Sequence, residues 1–102
     1  MLFTEDRILA EVRRACDAIA AAFGVGVGAL EIVRDDLEEL HRTLFGMPRD
    51  LSARIDPASL AAMVRADHRE AARELLAAEA DLLERSGDPS GATIRRAQRE
   101  MI

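Results

Sequence analysis

The side chains that could perform chemistry are few, and their spacing does not bring them together. The only soft metal ligands are Cys16, His41 and His68, and no two of them are three or four residues apart, as helical zinc ligands usually are. The sequence also lacks lysine, which excludes a lysine base, a Schiff-base lysine and a P-loop lysine. We therefore predict no catalytic residue, no metal site and no cofactor. The two histidines are interpreted as surface or rim residues and Cys16 as a small buried hydrophobe.

An acidic cluster is the densest group of like charges, and its members are Asp35, Asp36, Glu38 and Glu39. Paired carboxylates perform acid–base chemistry only in a desolvated cleft. On the outer face of a helix they indicate solvated charge, or a rim for a basic partner, and we favour the role in solubility.

Arginines recur every four residues at Arg65, Arg69 and Arg73 and could bind a phosphate or an acidic peptide. Acidic residues alternate with them along the same predicted helix, which favours local ion pairs instead. A second group, Arg95, Arg96 and Arg99, lies near the end of the sequence. These cations are predicted to interact favourably with the negative C-terminal end of the dipole of the last helix.

A glycine pattern, Gly-x-x-x-Gly-Ala, occurs over residues 24–29 and again over residues 87–92. Glycine adopts the left-handed backbone that ends a helix, and alanine lets the next helix approach closely. The first copy resembles a phosphate-binding loop, but such a loop follows a strand, whereas a helical pattern precedes this one. Both copies therefore predict tight turns between paired helices.

Helical periodicity covers most of the chain, and no segment shows the two-residue alternation of a strand. The predicted order is a helix over 5–23, a second from the first glycine turn to Phe45, a connector over 46–55, a short helix from Asp56, a fourth helix from Asp67 to Arg85, and a last helix from Asp88. The clearest apolar stripe is Leu30, Val33, Leu37, Leu40 and Leu44.

We predict one all-α domain over residues 1–102, with about five helices arranged as two hairpins joined by the connector and the short helix. Asp56, Asp67 and Asp88 are predicted to cap helix N-termini. The last helix carries Ile94, Ala97 and Met101 as its apolar residues.

One residue interrupts the apolar side of the fourth helix. Glu79 falls among leucines and alanines that are predicted to face the core. A carboxylate is rarely buried without a partner. Glu79 is therefore expected either to lie at the rim or to pair with an arginine.

Composition restricts the function classes further. The net charge of −5 argues against nucleic-acid binding, which depends on neutralising phosphates. No apolar run approaches the roughly 20 residues needed to span a bilayer, and no signal-peptide pattern begins the sequence. We therefore expect a cytoplasmic protein without a membrane or nucleic-acid partner.

The run Gly87, Asp88 and Ala92, with Ala80 and Leu83 before it, resembles the turn of a tetratricopeptide repeat (TPR). The order of segments 6–9, 44–46 and 75–87 more broadly resembles a family of small bacterial TPR-like proteins. The resemblance implies a fold of helical hairpins and no particular activity.

The favoured function is a non-enzymatic helical interaction or scaffold protein, whose partner is another protein or a second copy of the chain. Ile32 suggests a homodimer, since it points away from the apolar stripe of its own helix. The alternative is a small helical bundle that binds an apolar small ligand between its hairpins, in a pocket lined by Phe23, Leu37 and Met63.

Overall fold

The computed structural model describes residues 4–24 and 28–102, and within these ranges it contains six α-helices and no strand. The helices are α1 (Thr4–Ala22), α2 (Ala29–Phe45), α3 (Arg49–Ser52), α4 (Pro57–Met63), α5 (Arg69–Arg85) and α6 (Pro89–Met101), and a 3-10 turn spans Ala66–His68. The predicted all-α fold is confirmed. The difference in helix number arises in the connector, where residues 49–52 form the short helix α3.

Two helical hairpins form the body of the protein, as predicted. Helix α1 packs on α2, α5 packs on α6, and α1 also packs along α5. Gly87, between α5 and α6, has a φ of +90°, a conformation that favours glycine. Of the two described glycines in the first turn, Gly28 is left-handed (φ +97°) and Gly24 is not. Residues 25–27, including Val25 and Val27, lie outside the described part.

The core lies between α1, α2, α4 and α5. The stripe of α2 is buried as predicted at Val33, Leu37, Leu40 and Leu44. The facing residues of α5 include Ala72, Leu75, Leu76 and Leu82. These side chains are buried because their spacing of three and four residues places them on one side of each helix.

Two of the three predicted helix caps are confirmed. Asp56 accepts a hydrogen bond from the Ser59 N–H (3.0 Å), and Asp88 accepts one from the Gly91 N–H (2.9 Å). The prediction for Asp67 is wrong. Its carboxylate accepts two hydrogen bonds from Arg65, and the 3-10 turn replaces the first turn expected for α5.

Candidate functional site

Helix α6 turns its polar side toward the body of the protein. Its buried residues are Ala92, Arg95 and Gln98, whereas its larger apolar residues, Ile94 and Met101, are 42% and 52% exposed. This arrangement is the reverse of an ordinary amphipathic helix. It creates two features: a buried polar cluster beneath α6 and an apolar strip on its outer face.

Glu79 of α5 is at the centre of the buried cluster and is fully buried. One carboxylate oxygen, Oε2, accepts hydrogen bonds from the Nε atoms of Arg49 (2.6 Å) and Arg95 (3.1 Å). The other, Oε1, lies 2.6 Å from the Nε2 atom of His41. The prediction that Glu79 pairs with an arginine is therefore confirmed, and it pairs with two.

His41 of α2 is also fully buried, so its interpretation as a surface or rim residue is wrong. Its Nδ1 atom lies 2.9 Å from the Oγ atom of Ser52 in α3. Its ring also packs at a tilt against Phe45, with 5.2 Å between the ring centroids. His41 thus connects α2 with both α3 and α5.

Arg95 and Gln98 extend the cluster into α6. Arg95 donates to the carbonyl of Arg49 (3.0 Å) and to Oε1 of Gln98 (2.9 Å). The side-chain amide of Gln98 donates to the carbonyls of Ser52 (2.9 Å) and Ile55 (3.0 Å). The buried polar atoms on α6 are therefore satisfied by main-chain and side-chain groups of α3, α5 and the segment after α3.

Charge in the cluster is set by burial and by neighbouring groups. Burial alone would raise the pKa of Glu79, but the hydrogen bond from His41 and the charges of Arg95 and Arg49 hold it well below its usual range. Burial lowers the pKa of His41, and the two arginines lower it further, while Glu79 opposes them. At pH 7 the cluster therefore contains an ionised carboxylate, a neutral imidazole and two guanidinium groups.

The order hydroxyl, imidazole and carboxylate in Ser52, His41 and Glu79 is the order found in serine hydrolases. All three residues are fully buried, however, so a substrate cannot reach the Ser52 hydroxyl in this conformation. The same hydroxyl lies 2.9 Å from the carbonyl of Arg49, one turn earlier. These contacts hold α3 and α6 in position and present no nucleophile to solvent.

An open groove of about 570 Å³ runs along α5 and is the second place where chemistry-bearing residues meet. Cys16 lies beside Ala77 and Ala78 in this groove and is half-buried. Its thiol lies 3.7 Å from the carbonyl of Glu74. Burial raises the pKa of Cys16, helped by the charges of Glu74 and Asp17, so the thiol is a weak nucleophile at pH 7.

The predicted acidic cluster on α2 is mostly solvated. Asp35, Asp36 and Glu39 are exposed. Glu38 has a structural contact, because it accepts a hydrogen bond from the backbone N–H of Arg49 (3.2 Å) at the start of α3. The described carboxylates of this cluster therefore do not meet in a desolvated cleft.

The predicted ion pairs of α5 connect different helices. Glu70 and Glu74 pair with Arg13 of α1, and Asp81 pairs with Arg96 of α6. Arg69 and Arg73 instead donate to the main-chain oxygen of Ile102. The prediction of ion pairs within one helix is therefore wrong at these positions. Arg95 is predicted to interact with the dipole of the last helix, but it is buried and pairs with Glu79 instead.

His68 is buried at the junction of the 3-10 turn and α5, so its interpretation as a surface or rim residue is wrong as well. Among the described residues, neither of its ring nitrogens has a hydrogen-bond partner. An unsatisfied buried polar group costs about 1–3 kcal/mol.

We therefore expect His68→Leu to raise the free energy of unfolding by about 1 kcal/mol, because it removes the unsatisfied nitrogens. His68→Gln is the control, since it keeps a buried polar group and should give no such gain. Urea unfolding followed by far-ultraviolet circular dichroism measures both variants. A loss of stability in His68→Leu would contradict the interpretation.

Comparison with protein-family models, curated proteins and solved structures finds no match to the chain.

Within the described ranges, no cluster of three or more histidine, cysteine or carboxylate side chains could hold a metal ion. No helix in those ranges is long and apolar enough to cross a bilayer.

Sequence reasoning missed most of the buried cluster. Arg49, Ser52 and Gln98 are not among the candidate residues of the sequence analysis. Their contacts are distant in the sequence, since Gln98 and Ser52 are 46 residues apart. One local signal could have found it. Ala92, Arg95 and Gln98 are spaced three residues apart, so they share one side of α6, which Ile94 and Met101 do not share.

Proposed function

We propose that the protein is a non-enzymatic helical interaction or scaffold protein that binds a partner protein on the outer face of α6. The observation that carries this proposal is the outer strip, defined as Ile94, Ala97 and Met101, all of which are exposed. Their positions fall within about 60° of one another around the helix. They therefore form one continuous strip along α6.

Single exposed apolar residues are ordinary on protein surfaces, but an aligned strip is typical of a binding surface. Burial of a large apolar side chain contributes about 1.5–3 kcal/mol. The inner side of α6 is already committed to the cluster around Glu79, so the strip cannot be buried by a simple rotation of the helix. A partner helix or sheet edge placed on the strip would remove Ile94 and Met101 from water.

The partner in this proposal is another protein or a second copy of the chain. Ile32 on α2 is 59% exposed, which agrees with its predicted position away from the apolar stripe. A homodimer would most simply use a two-fold contact in which each strip meets its equivalent. We also propose that the protein is a TPR-like hairpin protein and that it is located in the cytoplasm.

The packing gives less support to a bundle that binds an apolar small ligand. Leu37 is fully buried in the core, whereas half of the Met63 surface faces solvent. Phe23 is covered by the guanidinium group of Arg85, 4.3 Å from the ring centroid. These positions do not match a closed pocket lined by all three residues.

The test compares Ile94→Glu and Met101→Glu, which place a charge in the strip, with Thr93→Glu, which adds the same charge at an exposed position beside it. Light scattering after size exclusion, with refractive-index detection because the chain lacks Trp and Tyr, measures self-association at high micromolar concentration. A photo-reactive residue at position 97 reports a different protein partner in extracts of the source cells.

We expect a dimer or a cross-linked product in the wild type and in Thr93→Glu, and its loss in both strip variants. A monomeric wild type without a cross-linked product would overturn the proposal. So would an association that persists unchanged in both strip variants.

A further inference from the structure

Helix α6 packs along α5 and against α4, but the large side chains that it buries are polar. Its buried apolar residue, Ala92, packs with Ala80 and Leu83 in a small cluster separate from the main core. Ile102, just after the helix, is partly buried and packs against the main core. Arg95 and Gln98 add buried hydrogen bonds from α6 to α5 and α3.

His41 is connected to both of these polar attachments. Its Nε2 atom contacts Glu79, whose other carboxylate oxygen binds Arg95. Its Nδ1 atom contacts the Ser52 hydroxyl, and the Ser52 carbonyl binds Gln98. Each ring nitrogen is therefore one residue away from a side chain that anchors α6.

The proton positions follow from these contacts. In neutral His41, Nε2–H donates to Glu79, and Nδ1 accepts from the Ser52 hydroxyl. A second proton on Nδ1 reverses the latter contact, so Ser52 must accept from His41 and donate to the carbonyl of Arg49, 2.9 Å away. The hydrogen bonds of His41 and Ser52 can therefore all be kept when His41 is protonated.

Protonation of His41 also adds a positive charge to the cluster, and no hydrogen-bond rearrangement compensates for that charge. The groups around His41 are Glu79 from α5, Arg49 from α3 and Arg95 from α6, with Glu38 of its own helix bound to the backbone of Arg49. Glu79 and the two arginines sum to +1, and a protonated His41 raises the sum to +2. The Arg49 side chain is 18% exposed but that of Arg95 only 2%. Arg95 is thus the cation that reaches water only if α6 moves.

We propose that His41 is a proton sensor that couples mild acidification to the release of α6 from the body formed by α1, α2 and α5. The turn at Gly87 is the hinge, and the released helix carries Arg95 into solvent. This property goes beyond the proposed function, because it does not depend on which molecule covers the outer strip.

The expected size of the effect follows from proton linkage. Release of α6 takes Arg95 away from Glu79 and opens the cluster to water, so the pKa of His41 rises toward its ordinary value of about 6.5, whereas burial lowers it in the attached state. The attached state is therefore favoured above pH 6.5 and loses stability as the pH falls below it. Between pH 7.5 and pH 5.5 the release constant should increase about tenfold if the attached state stays neutral. Glu79 contributes little in this window, because a solvated carboxyl titrates near pH 4.3.

Hydrogen–deuterium exchange at pH 7.5 and pH 5.5 tests the proposal on the full chain. Exchange rates are divided by the intrinsic rate at each pH, so that protection factors are compared. We expect the protection of α6 to fall about tenfold in the wild type while α2 retains its protection. His41→Gln, which can donate to Glu79 but cannot titrate, should remove the pH dependence. His68→Gln, the control at the other histidine, should keep it.

Three results would overturn the proposal: equal protection of α6 at both pH values, an equal loss in α2 and α6, or a tenfold loss that persists in His41→Gln. If His41→Gln does not fold, the test uses the wild type alone. The imidazole resonances of His41 and the hydrogen-exchange protection of α6 are then measured over the same pH range. A loss of α6 protection that does not follow the titration of His41 rejects the sensor.

Discussion

Glu79→Ala should lower the free energy of unfolding by about 3–5 kcal/mol, the usual cost of leaving one partner of a buried ion pair without the other. The reason is the position of Glu79 between two arginines, with Oε2 2.6 Å from Arg49 Nε and 3.1 Å from Arg95 Nε. Arg49 can reach water at the surface. Arg95 cannot, so the variant must bury an uncompensated guanidinium group or release α6.

The matched control is Asp81→Ala, two residues further along the same helix. Asp81 is exposed and also pairs with an arginine, Arg96, at 3.3 Å. Surface ion pairs of this type contribute about 0–1 kcal/mol. Urea unfolding followed by far-ultraviolet circular dichroism compares the two variants. Equal losses in Glu79→Ala and Asp81→Ala would show that the buried cluster is not the main attachment of α6.

Leu37→Ala should cost about 2–5 kcal/mol, because it removes a large side chain from a packed interior. Leu37 is fully buried at the middle of the α2 stripe and belongs to the main core cluster, which also contains residues of α1, α4 and α5. The surrounding structure relaxes only partially after such a substitution, so a cavity remains.

Ile32→Ala provides the comparison for Leu37→Ala on the same helix. Ile32 is 59% exposed, and surface substitutions usually change stability by less than about 0.5 kcal/mol. Denaturant midpoints and slopes measured for both variants give the difference. A cost for Ile32→Ala close to that for Leu37→Ala would mean that Ile32 is buried in solution, as it would be in a homodimer.

The buried cluster also explains why α6 has its unusual orientation. Arg95 and Gln98 find their partners in Glu79 and in carbonyl groups around α3. A rotation that brought Ile94 inward would take Arg95 away from Glu79. The same rotation would also take the Gln98 amide away from the carbonyls of Ser52 and Ile55.

The sequence by itself determined the helical elements and most of the apolar core. The spacing of Val33, Leu37 and Leu44 predicts the buried side of α2, and these residues are buried. Asp56 and Asp88 predict helix starts because a carboxylate followed by proline satisfies free N–H groups at the first turn. These signals are local, since each depends on residues within about two turns of the chain.

Only the tertiary structure decided the polar interior. The sequence predicts surface or rim positions for His41, beside an apolar stripe, and for His68, in the first turn of a helix, because neither pattern shows what surrounds the side chain. Their burial depends on which helices cover them, and the contacts of His41 come from α3 and α5. The same is true of α6, whose apolar residues Ile94 and Met101 are exposed. Periodicity shows which residues share a side of a helix, but the partners of Arg95 decide which side faces inward, and those partners are distant in the sequence.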